Sequence, residues 1–351
     1  MLLTPSLLPL LLALLVLPVA ASAQTTLRYS DHEPLGGMRT RFIKDVFFAA
    51  IEKESNGRIK IDDHWDSKVS TGYDALRTAG EGKATDMAIV VPEYSAKDLP
   101  LHQLFKGFPT GPSGSRQVAF FQRAYAEVPA LPTELQKNNV VPVFLATGYP
   151  VAFFSTTPLD GLKDLKGRSW RSASFWHQDF LRNSQARPVS MPWGEGVFKA
   201  MRDKTLDGLM VNVDSAVMLK VPEVAPNVLL SRDLWLGHLY VVAMNQGTWN
   251  ALAQQDRDAI QRAATTAYAQ LGRVMDESYA TMVADLRKAG LQLRELNRAE
   301  LAAWSATTDH RAVQTAWAND QQAKGVKDAV PVLKKLTELV DHAAAAARGG
   351  Q

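Results

Sequence analysis

The sequence predicts an α/β protein of two units. Segments patterned as strands and helices alternate, the alternation runs twice along the chain, and one helix is longer than a single small domain needs. The length, 351 residues, suits two domains. In the first unit, Thr26–Ser30 reads as a strand. A helix follows, with Phe42, Ile43, Val46, Phe47, Ala50 and Ile51 at helical spacing and a stop at Asn56-Gly57. Arg58–Ile61 alternates as a strand, and Thr71 is placed to cap the next helix. Asp86–Val91 is almost continuously apolar, as a strand buried in a parallel sheet would be.

A helix is expected from Ser115 to Glu127, then strands at Val140–Leu145 and Val151–Ser155. Pro142 weakens the first of these or puts it at a sheet edge. The pattern then restarts with a strand around Trp170, a helix from Ser174 to Ala186 and a strand at Pro188–Met191. A helix over Glu195–Arg202 and a strand at Gly208–Val211 complete that unit, and Leu239–Asn245 adds one more apolar strand. Apolar residues from Ile260 to Leu286 keep a 3.6-residue period until Gly290, a helix of roughly 45 Å that could run along both units. A helix-rich tail spans about Ala299 to Ala347.

Composition narrows the function. A net charge of +3 and the lack of a basic cluster argue against a nucleic-acid partner. With no cysteine, disulfides and zinc–thiolate sites are excluded. Residues 1–23 resemble a secretory signal: the stretch from Leu7 to Val19 is apolar, and Ala21-Ser22-Ala23 fits a small-x-small cleavage site, although no Lys or Arg precedes the apolar run. The alternative is an uncleaved membrane anchor; Pro18 and the small-residue ending favour cleavage, giving an exported, periplasmic protein that starts at Gln24. The seven histidines lack ligand spacing, and no nucleophile elbow, phosphate loop or zinc-protease motif occurs, so neither cofactor nor metal is expected.

Open α/β sheets bind ligands beyond the carboxyl ends of their strands, where helix N-termini favour anions. Three such places lie in each unit: Ser30–Pro34, Val69–Tyr73 and Val91–Tyr94, then Arg171–Ser174, Pro192–Glu195 and Val211–Asp214. They supply His32, Glu33, Thr71, Tyr73, Glu93 and Tyr94 from the first unit. From the second come Arg171, Ser174, Trp193 and Asn212. In KGRSWRSASF, Arg171 ends its strand just before a helix, where its planar fork could grip a carboxylate; Arg168 reads as a surface residue. The other role open to Arg171 is an ion pair with a buried acid, and Trp193 could be core packing. Glu93 would oppose an acid unless it is tied up or points away.

Four stretches, EKESNGRIKI, GEGKATDMAIV, LKDLKGRSWR and VSMPWGEGVFKAMRDKTLDG, resemble in order the DctP-like solute receptors of tripartite ATP-independent periplasmic (TRAP) transporters. The likeness runs from Thr26 to about Trp304, and the last two stretches are the specific ones. It implies a two-lobed periplasmic binding protein fold with crossing strands and a long helix bridging both lobes. The lobes would be 24–147 plus about 238–275, and 148–237 plus about 276–351. It also implies no enzymatic turnover, a small organic acid held in the interlobe cleft, and membrane permease subunits as partners. Arg171 falls on the arginine that grips the carboxylate, Trp193 on the aromatic residue over the ligand and Ser174 near a polar contact. Two departures imply a less polar acid, or one with fewer charged groups, than a dicarboxylate or sialic acid. The polar run usual after Asp-Gly is Leu209-Met210-Val211-Asn212 here, and no second arginine stands around Tyr149–Val151. The rival readings are an exported ligand sensor for a signalling partner and a periplasmic enzyme acting on a carboxylate.

Overall fold

Residues 24–191, 194–235 and 237–349 are described by a computed structural model of the protein. The chain opens with β1 (Thr25–Ser30), α1 (Met38–Phe42), a π-helical turn (Ile43–Phe48) and α2 (Ala49–Glu54). Residues i and i+5 share a side of a π turn but not of an α-helix. This turn thus brings both Phe42 and Phe47 against Phe144, at ring distances of 6.3 and 4.5 Å. The Asn56-Gly57 stop is real: both residues have positive φ. Next come β2 (Ile59–His64), α3 (Ala75–Glu81) and β3 (Met87–Val90). Thr71 does not cap α3. Its hydroxyl bonds the Asp74 side chain at 2.7 Å and accepts from the Asp74 amide, a local turn that delays the helix to Ala75.

After a 3₁₀ stretch at Leu101–Gly107, α4 (Gly114–Glu127), α5 (Ala130–Lys137) and β4 (Val140–Thr147) complete the first run. The second holds β5 (Val151–Ser155), β6 (Ser169–Arg171), α6 (Phe175–Asn183), β7 (Arg187–Val189), α7 (Glu195–Arg202), β8 (Gly208–Asn212), α8 (Val213–Met218) and β9 (Asn227–Leu230). Then follow β10 (Leu239–Asn245), α9 (Gln246–Ala251), α10 (Gln254–Lys288), β11 (Gln292–Glu295), α11 (Arg298–Thr307), α12 (His310–Ala323) and α13 (Ala329–Gly349). Sequence pattern missed α5, α8, β9 and β11, which are too short for their periodicity to stand out.

Two mixed sheets result, ordered β2-β1-β3-β10-β4 and β11-β9-β5-β8-β6-β7. Each takes one strand from across the chain. β5 follows β4 directly yet lies in the second sheet, antiparallel to β8 and β9. β10 follows β9 yet returns to the first, antiparallel to β3 and β4. β3 is therefore parallel only on its β1 side, and its continuous apolar run reflects burial of all four residues. Pro142 does sit on an edge strand, beside a bulge in the β10–β4 pairing.

α10 has 35 residues, about 52 Å at 1.5 Å per residue. Its Ile260–Leu271 stretch joins the apolar cluster of the first sheet, and Met275, Tyr279, Val283 and Leu286 join that of the second. A third cluster is continuous across both sheets and takes in Leu104, Phe121, Phe153, Trp170, Trp304 and Leu336.

The Asp207-Gly208 pair shows why a sequence motif can be structural. Asp207 receives the amide and hydroxyl of Ser169 at 2.7 and 2.8 Å. A Cβ on Gly208 would lie 2.3–2.5 Å from three ring carbons of the fully buried Trp170. Gly208→Ala should therefore cost about 1–3 kcal/mol of stability by overpacking; an unchanged denaturant midpoint would show that the ring can move aside.

Candidate functional site

The two sheets point their strand ends at one another across a cavity of about 430 Å³. The carboxyl ends of β1, β3, β6, β7 and β8 face it. So do the amino ends of the two inserted strands, where Val151 begins β5 and His238 and Tyr240 flank the start of β10.

The first wall is built on a buried ion pair. Arg39 donates to both oxygens of Asp31 at 2.7 and 3.0 Å and reaches Glu33 at 2.8 Å. Tyr29 and the Glu33 amide also donate to Asp31. Burial pushes the Asp31 carboxyl up, but the Arg39 guanidinium and these donors outweigh it, and its pKa lies below the usual range. The loop carrying His32 and Glu33 is thereby fixed. His32 meets the edge of Tyr94, which stacks on the exposed Tyr73 at 4.4 Å, so this side of the cavity opens to solvent.

Arg171 stands on the opposite wall, only 2% exposed. Its Nε and one terminal nitrogen donate to the Met191 carbonyl at 3.0 and 2.8 Å. The Met191 carbonyl sets the direction of the guanidinium. Burial pulls its pKa below the ordinary arginine range, the signature of a cation taken out of water. Arg168 lies half-buried just before β6 and donates to the Pro158 carbonyl at 3.3 Å.

The floor is aromatic and strongly buried. Trp235 has φ +86°, a left-handed conformation that costs a bulky residue about 1–3 kcal/mol. Its amide donates to Pro109 at 2.8 Å and its indole to Lys106 at 3.3 Å, which hold it there. The Lys106 ammonium lies 5.3 Å from the indole centroid and is paired with Glu93. Burial draws the Lys106 pKa well below the ordinary lysine range. Glu93 is thus tied up rather than presented to an incoming acid. Among the described residues no cluster of His, Asp or Glu is arranged to hold a metal ion.

Sequence comparison agrees with this architecture. The profile of the DctP family, bacterial extracellular solute-binding protein family 7, matches residues 42–319. The chain belongs to this family. It is similar to a TRAP periplasmic solute-binding protein from Desulfovibrio salexigens, with 21% identity, a TM-score of 0.77, and 90% of this chain and 96% of that one covered. It is equally similar to a TRAP solute-binding protein from Rhodoferax ferrireducens holding copurified benzoate (19%, 0.77, 92% and 100%). A third, from a marine metagenome, is specific for aromatic acids and carries 3-hydroxybenzoate (17%, 0.77, 92% and 99%). These neighbours share the two-lobed fold. The family consists of substrate-binding receptors, and this TRAP-type solute-binding protein is a receptor rather than an enzyme. No helix among the described residues is long and apolar enough to cross a membrane.

In this solute-binding protein, His32, Glu33, Tyr73, Glu93 and Tyr94 line the cavity on one side, and Arg171, Ser174 and Asn212 on the other. Thr71 is exposed in its turn and does not line it. Trp193 and residues 1–23 lie outside the described residues. Sequence reasoning missed Lys106, His177, Trp235, His238 and Tyr240. It read the histidines as scattered, yet His32, His177 and His238 all face the cavity. Only His102, held between Glu134 and Tyr125, is plainly structural. For His238 and Tyr240 the missing signal is topological: the antiparallel insertion of β10 brings its amino end to the ligand side.

Asp214, in the first turn of α8, has a buried Oδ1 without a hydrogen-bond partner among the described residues. Burial, with the Glu33 carboxylate adding to it, raises its pKa from 3.8 to about 6. The folded protein keeps this proton to higher pH than the unfolded chain does, so stability is lost as pH rises from about 4 through about 6. Asp214→Asn should stabilise the protein by about 2 kcal/mol at pH 7.5 and by almost nothing at pH 4. Urea midpoints at the two pH values test this; an equal gain at both would show that the charge is not the cause.

Proposed function

We propose that this solute-binding protein captures a small organic monocarboxylate between its lobes and delivers it to the membrane permease of a TRAP transporter. The observation that carries the reading is Arg171, a desolvated guanidinium on the cavity wall, aimed by a main-chain carbonyl. A carboxylate beside it would accept charge-assisted hydrogen bonds from the planar guanidinium. The cavity volume suits a small molecule, and benzoate and 3-hydroxybenzoate in two structural neighbours support an acid of that size.

Around that anchor, Ser174 and Asn212 offer polar contacts on the Arg171 side, and the Tyr73–Tyr94 stack covers the opposite face. His32, Glu33 and Glu93 form the first-lobe wall, with Glu93 neutralised by Lys106. By family resemblance, Trp193 packs over the bound ligand. We assign residues 24–147 and about 238–275 to one lobe, and 148–237 and about 276–351 to the other. The division of α10 between two apolar clusters near residue 275 supports this, although α13 packs back on α4 of the first lobe. Residues 1–23 serve as the export signal, which fits a family of extracellular proteins.

Arg171→Ala should weaken acid binding by about 100-fold or more while the ligand-free melting temperature stays within a few degrees of the parent. Titration calorimetry against a panel of organic acids reads the first and thermal melting the second. Affinity unchanged by the substitution would refute the assignment.

A further inference from the structure

Two imidazoles that line the cavity, His177 and His238, each have one nitrogen that the described residues leave unsatisfied. His177 Nε2 and His238 Nδ1 are buried atoms with no hydrogen-bond partner among the described residues. Both rings stand edge-on to Trp235, at centroid distances of 5.2 and 4.8 Å and angles of 80° and 88°. A buried polar atom left unpaired costs about 1–3 kcal/mol, so two beside one indole need a reason.

Their other nitrogens define their protonation. Asn212 spends its amide hydrogen on the Tyr149 carbonyl at 2.6 Å, so its Oδ1 is an acceptor. His238 Nε2 lies 2.6 Å from that oxygen and must donate to it. A neutral His238 therefore presents a bare acceptor at Nδ1. His177 Nδ1 lies 3.0 Å from the Ser172 hydroxyl. Nδ1 is the described hydrogen-bond partner of that hydroxyl, so we place the hydroxyl proton on this bond, which leaves the ring proton on Nε2 as a donor. Both rings are held neutral, His177 with its pKa pushed down to about 3, by burial and by the nearby Lys106 ammonium. One acceptor and one donor on the same floor match a single hydroxyl, which gives one hydrogen bond and takes another.

We propose that the ligand is a hydroxylated monocarboxylic acid whose hydroxyl sits between His238 Nδ1 and His177 Nε2 while its carboxylate meets Arg171. This rests on the carboxylate reading above. A second carboxylate does not suit the floor, because its one cation, Lys106, is already matched by Glu93 and the imidazoles carry no charge.

The test is calorimetry on the whole protein, stripped of bound ligand, with acids paired by one hydroxyl: benzoate with 3-hydroxybenzoate, phenylacetate with 3-hydroxyphenylacetate, and hexanoate with 6-hydroxyhexanoate. The hydroxylated member of at least one pair should bind about tenfold tighter or more. His177→Leu should bring the two members together, and His177→Gln, which restores a polar end, should recover part of the gap. Should His177→Leu fail to fold, Ser172→Ala keeps the ring but removes the partner that sets its tautomer, and must narrow the gap instead. Equal affinities within every pair, or a gap that survives these variants, would overturn the hydroxyl site and leave the carboxylate reading standing. Binding of no acid in the panel would remove both. Loss of both members of a pair on Arg171→Ala ties the hydroxyl to the same bound molecule.

Discussion

Each sheet in this protein is completed by a strand from the other half of the chain, and the geometry of the site follows from that exchange. β5 and β10 enter antiparallel to their neighbours because the chain arrives from the opposite side. Their amino ends and the carboxyl ends of the remaining strands must then share the space between the sheets. Neither sheet can shed its inserted strand without exposing a row of backbone donors and acceptors, so the cleft is fixed by main-chain hydrogen bonding before any side chain is placed.

The side chains then divide the electrostatic work. Arg39 is neutralised within its own wall by Asp31 and Glu33, and Lys106 by Glu93. These contacts give the cavity rigid sides, with one carboxylate in excess around Arg39. Arg171 is buried on the opposite wall, where the Met191 carbonyl sets the direction of its guanidinium. A cavity so arranged selects by sign at one point and by shape and hydrogen bonding elsewhere.

Much of the fold was legible in the sequence, because long periodic segments and turn residues act locally. The apolar run of β3, the Asn56-Gly57 stop, the edge position of Pro142 and the length of α10 follow from period and backbone preference alone. Two of the family-like stretches also have structural explanations: Asp86 binds the amide and guanidinium of Arg28, and Gly208 lies under Trp170. The site was legible in part. Arg171 and Asn212 announced themselves at strand ends. Lys106 lies in a 3₁₀ stretch with no periodic signature, and Trp235 precedes an inserted strand whose direction is a tertiary fact. Glu93 looked hostile to an acid only because its partner, 13 residues on, could not be seen in the sequence pattern.

The apolar cluster that runs through both sheets has a thermodynamic consequence. Phe121 on one side, Phe153 and Trp170 on the other, and Trp304 and Leu336 from the terminal helices share one interior. Melting either sheet alone would bare the other's half of that interior to water, and burial of this kind supplies most of a protein's favourable folding free energy. Two architectural halves should accordingly denature as one cooperative unit, with the terminal helices as part of the transition rather than an appendage to it.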